Sequence, residues 1–97
     1  MIKVSVNEEN NFIKEIKIDG HANFDDYGRD IVCAAVSSIV TTTVNAILRL
    51  DKDSIYYDDK VNIRVLKGND VIYTLLDNML DLLKELEHDY PKNIKFL

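Results

Sequence analysis

Two side chains in this chain form the pairing that thiol chemistry requires: Cys33, the sole cysteine, and His21, one of two histidines. They flank a polar segment carrying Asp25, Asp26, Gly28, Arg29 and Asp30, so a bend there can bring an imidazole to a thiol. Such an imidazole can take the thiol proton, leave a thiolate that attacks a carbonyl, and hand the proton to a leaving amine. A lone cysteine near a helix start is otherwise most simply a small buried hydrophobe, and the pairing alone does not decide between the two.

The elements that must position this pair follow from residue periodicity. Residues 2–7, Ile-Lys-Val-Ser-Val-Asn, alternate apolar and polar as a half-buried strand does. Glu8 to Asn11 reads as a turn, and Phe12 to Ile18 resumes the alternation with one slip in phase that a bulge would absorb. The hairpin ends at Asp19-Gly20, where glycine admits backbone angles closed to other residues, and His21 is left at the strand end. Residues 22–29 lack periodicity and read as a gate, with Gly28 as its hinge.

Asp30 is a good N-cap for a helix over Ile31–Leu50, expected to be largely buried through Val32, Val36, Ile39, Val40, Thr43, Ile47 and Leu50. Residues 51–60 read as a charged, turn-rich connection, and Val61 to Lys67 as a strand with Val61, Ile63 and Val65 on one face. Gly68-Asn69-Asp70 breaks the chain and caps a second helix from Val71 to about Asp89. Its stripe is Ile72, Leu75, Leu76, Met79, Leu82, Leu83 and Leu86, and Pro91 stops it. Ile94 to Leu97 returns as an edge strand. The expected fold is α+β: a two-layer α/β sandwich in the order strand-strand-helix-strand-helix-strand, a mixed sheet covered by two helices in a single domain, 1–97.

Placed on those elements, Cys33 is the third residue of a helix capped by Asp30, where unpaired N–H groups and the helix dipole favour an anion. Thiols in such places fall from a pKa of about 8.5 to about 3.5–7.5. The amides at the helix start are candidate donors to an oxyanion, and Ala34 and Ala35 leave room for a substrate backbone. Ser37, one turn on, either hydrogen-bonds near the site or bonds back to the Cys33 carbonyl. Asp30 has two readings: chiefly a cap, and also a group that orients His21, while its charge opposes thiolate formation. Phe24 and Tyr27 are either a lid on substrate or ordinary loop anchors.

Gly-His-Ala at 20–22, the loop with Gly28, and Asp-Ile-Val-Cys-Ala-Ala-Val-Ser at 30–37 resemble the ribosomal-processing cysteine proteases of the Prp (YsxB-like) family, and the order of elements fits across essentially all 97 residues. The resemblance implies that His21 and Cys33 are the catalytic pair, with Gly20, Asp30 and Ser37 associated with the site. It also implies a mobile loop over substrate, here Asn23, Phe24, Asp25, Asp26, Tyr27 and Gly28, although Asn23 to Tyr27 are not fixed by the family pattern. The implied activity is removal of an N-terminal extension from large-subunit ribosomal protein twenty-seven, cutting after an aromatic residue, without a cofactor, by a homodimer. Such a substrate is basic, and Asp25 and Asp26 would attract it; the salt dependence of cleavage would show this.

Composition bounds the alternatives. Apolar residues at 46%, charged residues at 30% and a net charge of −5 describe an ordinary folded domain and disfavour direct nucleic-acid binding. No apolar run is expected to reach the roughly 20 residues of a membrane span, and a single cysteine agrees with a reducing cytoplasm. A metal site from His21, Asp25, Asp26 and Cys33 lacks tight ligand spacing, so no metal is expected. The competing function class is a non-catalytic ribosome-assembly module that holds a basic protein without cutting it.

Overall fold

The computed structural model describes residues 1–20, 27–58 and 61–97, with the backbone alone for 27–30. Seven elements follow in order: β1 (Ile2–Glu9), β2 (Phe12–Asp19), α1 (Tyr27–Leu50), β3 (Ile55–Asp58), β4 (Asn62–Val65), α2 (Asp70–Asp89) and β5 (Ile94–Phe96). The strands form one sheet in the order β3-β4-β2-β1-β5, in which β5 runs parallel to β1 and the other pairs are antiparallel. The α+β sandwich with a mixed sheet and two helices is therefore the fold observed.

The β1–β2 hairpin is closed by Asn10 and Asn11 alone, at φ 55° and 68°. Two left-handed residues give a turn whose twist matches the strands, and asparagine tolerates that conformation. The slip in phase is a bulge: the register runs from Asn7↔Glu15 directly to Glu8↔Ile13, leaving Lys14 as the extra residue. Ile13 and Ile16 are thus both buried, although a regular strand would put them on opposite faces.

One face of the sheet carries buried Ile2, Val4, Ile16, Ile18, Ile55, Ile63, Val65 and Ile94. The other carries Lys3, Lys17, Arg64 and Lys95, all exposed, with Glu15 between Lys17 at 3.9 Å and Arg64 at 3.4 Å. Exposed pairs of this kind contribute about 0–1 kcal/mol, so the buried face holds the sheet. Over it α1 contributes Val32, Val36, Val40, Thr43, Val44 and Ile47, and α2 contributes Ile72, Leu76, Met79, Leu80 and Leu83.

Five expectations are corrected. A short edge strand, β3, lies in the charged stretch, paired Tyr57↔Ile63 and Ile55↔Val65. The next strand begins at Asn62 and ends at Val65, so Val61 stands outside it. Helix α1 begins at Tyr27, because no proline precedes Ile31 to stop backward propagation and Gly28 costs only ~1 kcal/mol within a helix. It also buries one stripe and not most of its surface: Ala34, Ser38, Thr41, Thr42 and Asn45 are exposed, since a two-layer fold covers a helix on one side only. Moreover, Ile31–Leu50 is long and apolar enough by length and composition to cross a bilayer, contrary to expectation; here its buried stripe belongs to the core shared with the sheet.

Helix α2 starts as read, with Asn69 extended (φ −150°, ψ 175°) and its side chain accepting the Ile72 N–H at 3.0 Å. At the other end Tyr90 donates its N–H to the Leu86 carbonyl at 2.8 Å, immediately before Pro91. Leu80 is buried and Leu82 exposed, a small rotation from the expected stripe. Replacing Asn69 by Ala is expected to cost ~1 kcal/mol, or about 4–8 °C in Tm, while Asn69→Asp retains most of the stability. Thermal unfolding followed by circular dichroism measures both.

Candidate active site

The site is built where β2 ends and α1 begins its buried stripe. Gly20 has φ 91°, and a Cβ there would run into the Met1 carbonyl while lying 3.4 Å from the Ile2 Cα. Both the backbone angle and the space require glycine. Its N–H donates to Asp19 Oδ1 at 2.8 Å, and Ile2 N–H donates to the Asn93 carbonyl at 2.9 Å, fixing the strand starts beneath it.

Cys33 is a free thiol on α1, half-buried and packed against the core edge. It shares with Gly20 and Ser37 a cleft of ≈ 80 Å³. Of the residues expected at the site, the structure brings these three together. Ala34 is exposed and Ala35 half-buried on the same turn. His21, Asn23, Phe24, Asp25 and Asp26 lie outside the described residues, as do the side chains of Tyr27 and Asp30; the backbones of Tyr27, Gly28 and Asp30 belong to α1.

The earlier helix start changes the surroundings of Cys33. Asp30 is the fourth residue of α1 and not its N-cap, and Cys33 is the seventh. The open N–H groups of a helix are its first four, and the dipole acts mainly within the first turn. An amide at the seventh position is committed to the carbonyl four residues earlier, so it is not open to an oxyanion. The proposed gate shortens as well, because Tyr27 to Arg29 are helical.

Among the described residues the remaining walls of the cleft are Ile2, Ile18, Val36 and Val61, none of which belongs to a site pattern in the sequence. Alternation along β2 points Ile18 to the same face as Ile16 and so toward α1, which was a usable signal. Val61 arrives only through pairing of β4 with β2, where its carbonyl accepts the Ile18 N–H at 2.9 Å. A wider open groove of ≈ 590 Å³ runs past Val6, Ile13, Asp77 and Lys84, toward the other end of β1. Among the described residues neither a thiol nor an imidazole lines it, so size does not select the site.

Residues 1–95 match the family model described as cysteine protease Prp. The chain belongs to the Prp cysteine protease family. Among its relatives, the ribosomal processing cysteine protease Prp of Staphylococcus aureus is 37% identical over 100 residues, covering 97% of this chain and 93% of that one. A crystal structure of Prp from S. aureus with a substrate peptide superposes at TM-score 0.86 and 34% identity, covering 100% of this chain and 98% of the other. A second, with a covalently linked product peptide, gives 0.82 and 35%, covering 99% and 97%. The α+β fold and the cysteine protease class are thus those of the Prp family.

Gly20→Ala is expected to lower stability by ~1–3 kcal/mol, since alanine meets both a left-handed backbone and the Met1 carbonyl. The midpoint of urea unfolding checks this; an unchanged midpoint would show that the strand end can shift to accept a side chain.

Proposed function

We propose that this chain is the endopeptidase that removes the N-terminal extension of large-subunit ribosomal protein twenty-seven during ribosome assembly. Cys33 is the nucleophile and His21 the general base and acid. The observation that carries the reading is the single cleft uniting Gly20, Cys33 and Ser37, with the histidine next in the chain to Gly20. Family membership and a relative crystallised with substrate and covalently linked product peptides support it.

In this reading His21 takes the Cys33 proton, and the sulfur attacks the scissile carbonyl carbon to give a tetrahedral oxyanion. Collapse breaks the C–N bond, the proton on His21 passes to the leaving amine, and a thioester remains on Sγ. A water, deprotonated by His21, then hydrolyses the thioester and releases the carboxylate product and the thiol. Because Cys33 stands a full turn inside α1, thiol activation rests on His21, with Asp30 and Ser37 in support. The cleft is far smaller than the ~300–1,000 Å³ of small-molecule sites, which suits one residue of an extended peptide. The reaction takes place in the cytoplasm, where a lone thiol stays reduced.

The enzyme works as a homodimer. From Ile31 to Leu48 the helix α1 carries no charged residue, and its outer face of Ala34, Ser38, Thr41, Thr42 and Asn45 is an uncharged surface that a second copy can cover by two-fold symmetry. Thr42→Lys is expected to convert a dimer to a monomer in sedimentation velocity; a wild-type protein that is monomeric at micromolar concentration removes the proposal.

Mass spectrometry of a peptide spanning the extension, incubated with wild type, Cys33→Ala and His21→Ala, tests the chemistry. A single cut by wild type is expected, with rates lower by at least about a thousandfold in both variants. Cleavage by Cys33→Ala would overturn the assignment of the nucleophile. A peptide that binds wild type yet stays intact would point to the non-catalytic module.

A further inference from the structure

Three described residues other than glycine have positive φ: Asn10, Asn11 and Val61. The asparagines close a hairpin that asks for that conformation and are suited to it. Val61, at φ 68°, is not: a β-branched side chain in the left-handed region is an outlier, costing on the order of 1–3 kcal/mol. Glycine would hold the same backbone without that cost. The Val61 N–H donates to the Asp58 carbonyl and its carbonyl accepts from Ile18 N–H, both at 2.9 Å, and neither bond needs a side chain. What valine adds lies in its two methyl groups, which are packed against the core edge and line the cleft beside Cys33.

We propose that Val61 is a specificity-determining residue: its strained backbone is retained because the side chain forms one wall of the Cys33 cleft and selects an apolar residue next to the scissile bond. The inference rests on Cys33 being the nucleophile. With Val61, the residues Ile2, Ile18 and Val36 line the cleft, so a substrate side chain entering it meets hydrocarbon from four residues. A charged side chain, or a polar one out of reach of the Ser37 hydroxyl and the Cys33 thiol, would lose its water there without a partner, whereas an apolar one gains contact. Discrimination in hydrophobic pockets of this kind is about 10–200-fold per methylene-sized difference.

The test compares Val61→Gly and Val61→Asn with wild type on two pairs of peptides based on the ribosomal-protein extension. One pair carries Leu or Ala on the acyl side of the scissile bond, the other Leu or Ala on the amine side. The readout is the ratio of kcat/KM within each pair, which a folding defect does not move because both peptides meet the same folded fraction. Both variants keep the backbone angle, one without a side chain and one with a polar side chain. In at least one pair the wild-type ratio favouring Leu is expected to fall about tenfold or more in both variants, while the Tm of Val61→Gly stays at or above that of wild type. Unchanged ratios in both pairs, or a Val61→Gly protein whose Tm drops while its ratios hold, would overturn the proposal and leave Val61 as core packing. Cleavage by a Cys33→Ala control would instead sink the site assignment itself, a failure separable from this one.

Discussion

The position of the thiol depends on how α1 is rotated about its own axis, and that rotation is set by hydrocarbon. Val32, Val36, Val40, Val44 and Ile47 form a stripe that is almost completely buried against the sheet and α2. β-branched residues are stiff at χ1, so such a seam resists sliding as well as rotation. Cys33 follows Val32 by 100° around the helix, and Ser37 follows Val36 in the same way. Both therefore fall at the rim of the seam, where the core ends and the cleft begins. A thiol in the seam itself would be an inert small hydrophobe, and one on the far face would have no wall beside it.

The other side of the cleft is held by backbone. Gly20 ends β2 in a conformation that glycine adopts freely, under the Met1 carbonyl, while Val61 begins the approach to β4 in one that valine adopts at a cost. The Ile18–Val61 hydrogen bond ties the two together across the β2–β4 pairing. Both irregular points thus stand at one end of the β2–β4 ladder, and Ile18 between them lines the cleft with Val36 of α1. The cleft thus stands at a strand end on a rigid scaffold, the setting from which functional side chains often project.

Much of this was legible locally. The phase slip in β2 became the bulge at Lys14, Asn69 caps α2 as its type suggests, and β5 lies at the sheet edge after Pro91. Gly20, Cys33 and Ser37 were readable because they belong to short contiguous patterns. β3 was hidden by its length and by acidic neighbours: four residues, Ile55 to Asp58, give alternation little room to show. The start of α1 was misplaced because Asp30 has the chemistry of a cap, yet an acid is equally at home inside the first turn. Val61 could not be found at all, since its φ and its neighbour Ile18 come from pairing between segments far apart in the chain.

The misplaced helix start has a chemical consequence beyond bookkeeping. A cysteine in the first turn draws its reactivity from the helix, and a histidine then only refines it; a cysteine at the seventh position has its own amide engaged in the helix ladder and stands beyond the reach of the open N–H groups. In the proposed protease, nucleophile activation and proton delivery therefore both fall to His21, which joins the chain to Gly20. That makes the geometry of the glycine more than a local convenience: the left-handed turn at φ 91° sets the direction in which the chain leaves β2. In that proposal the helix positions the thiol through its seam with the sheet, and the base is the residue that follows the strand end in the chain.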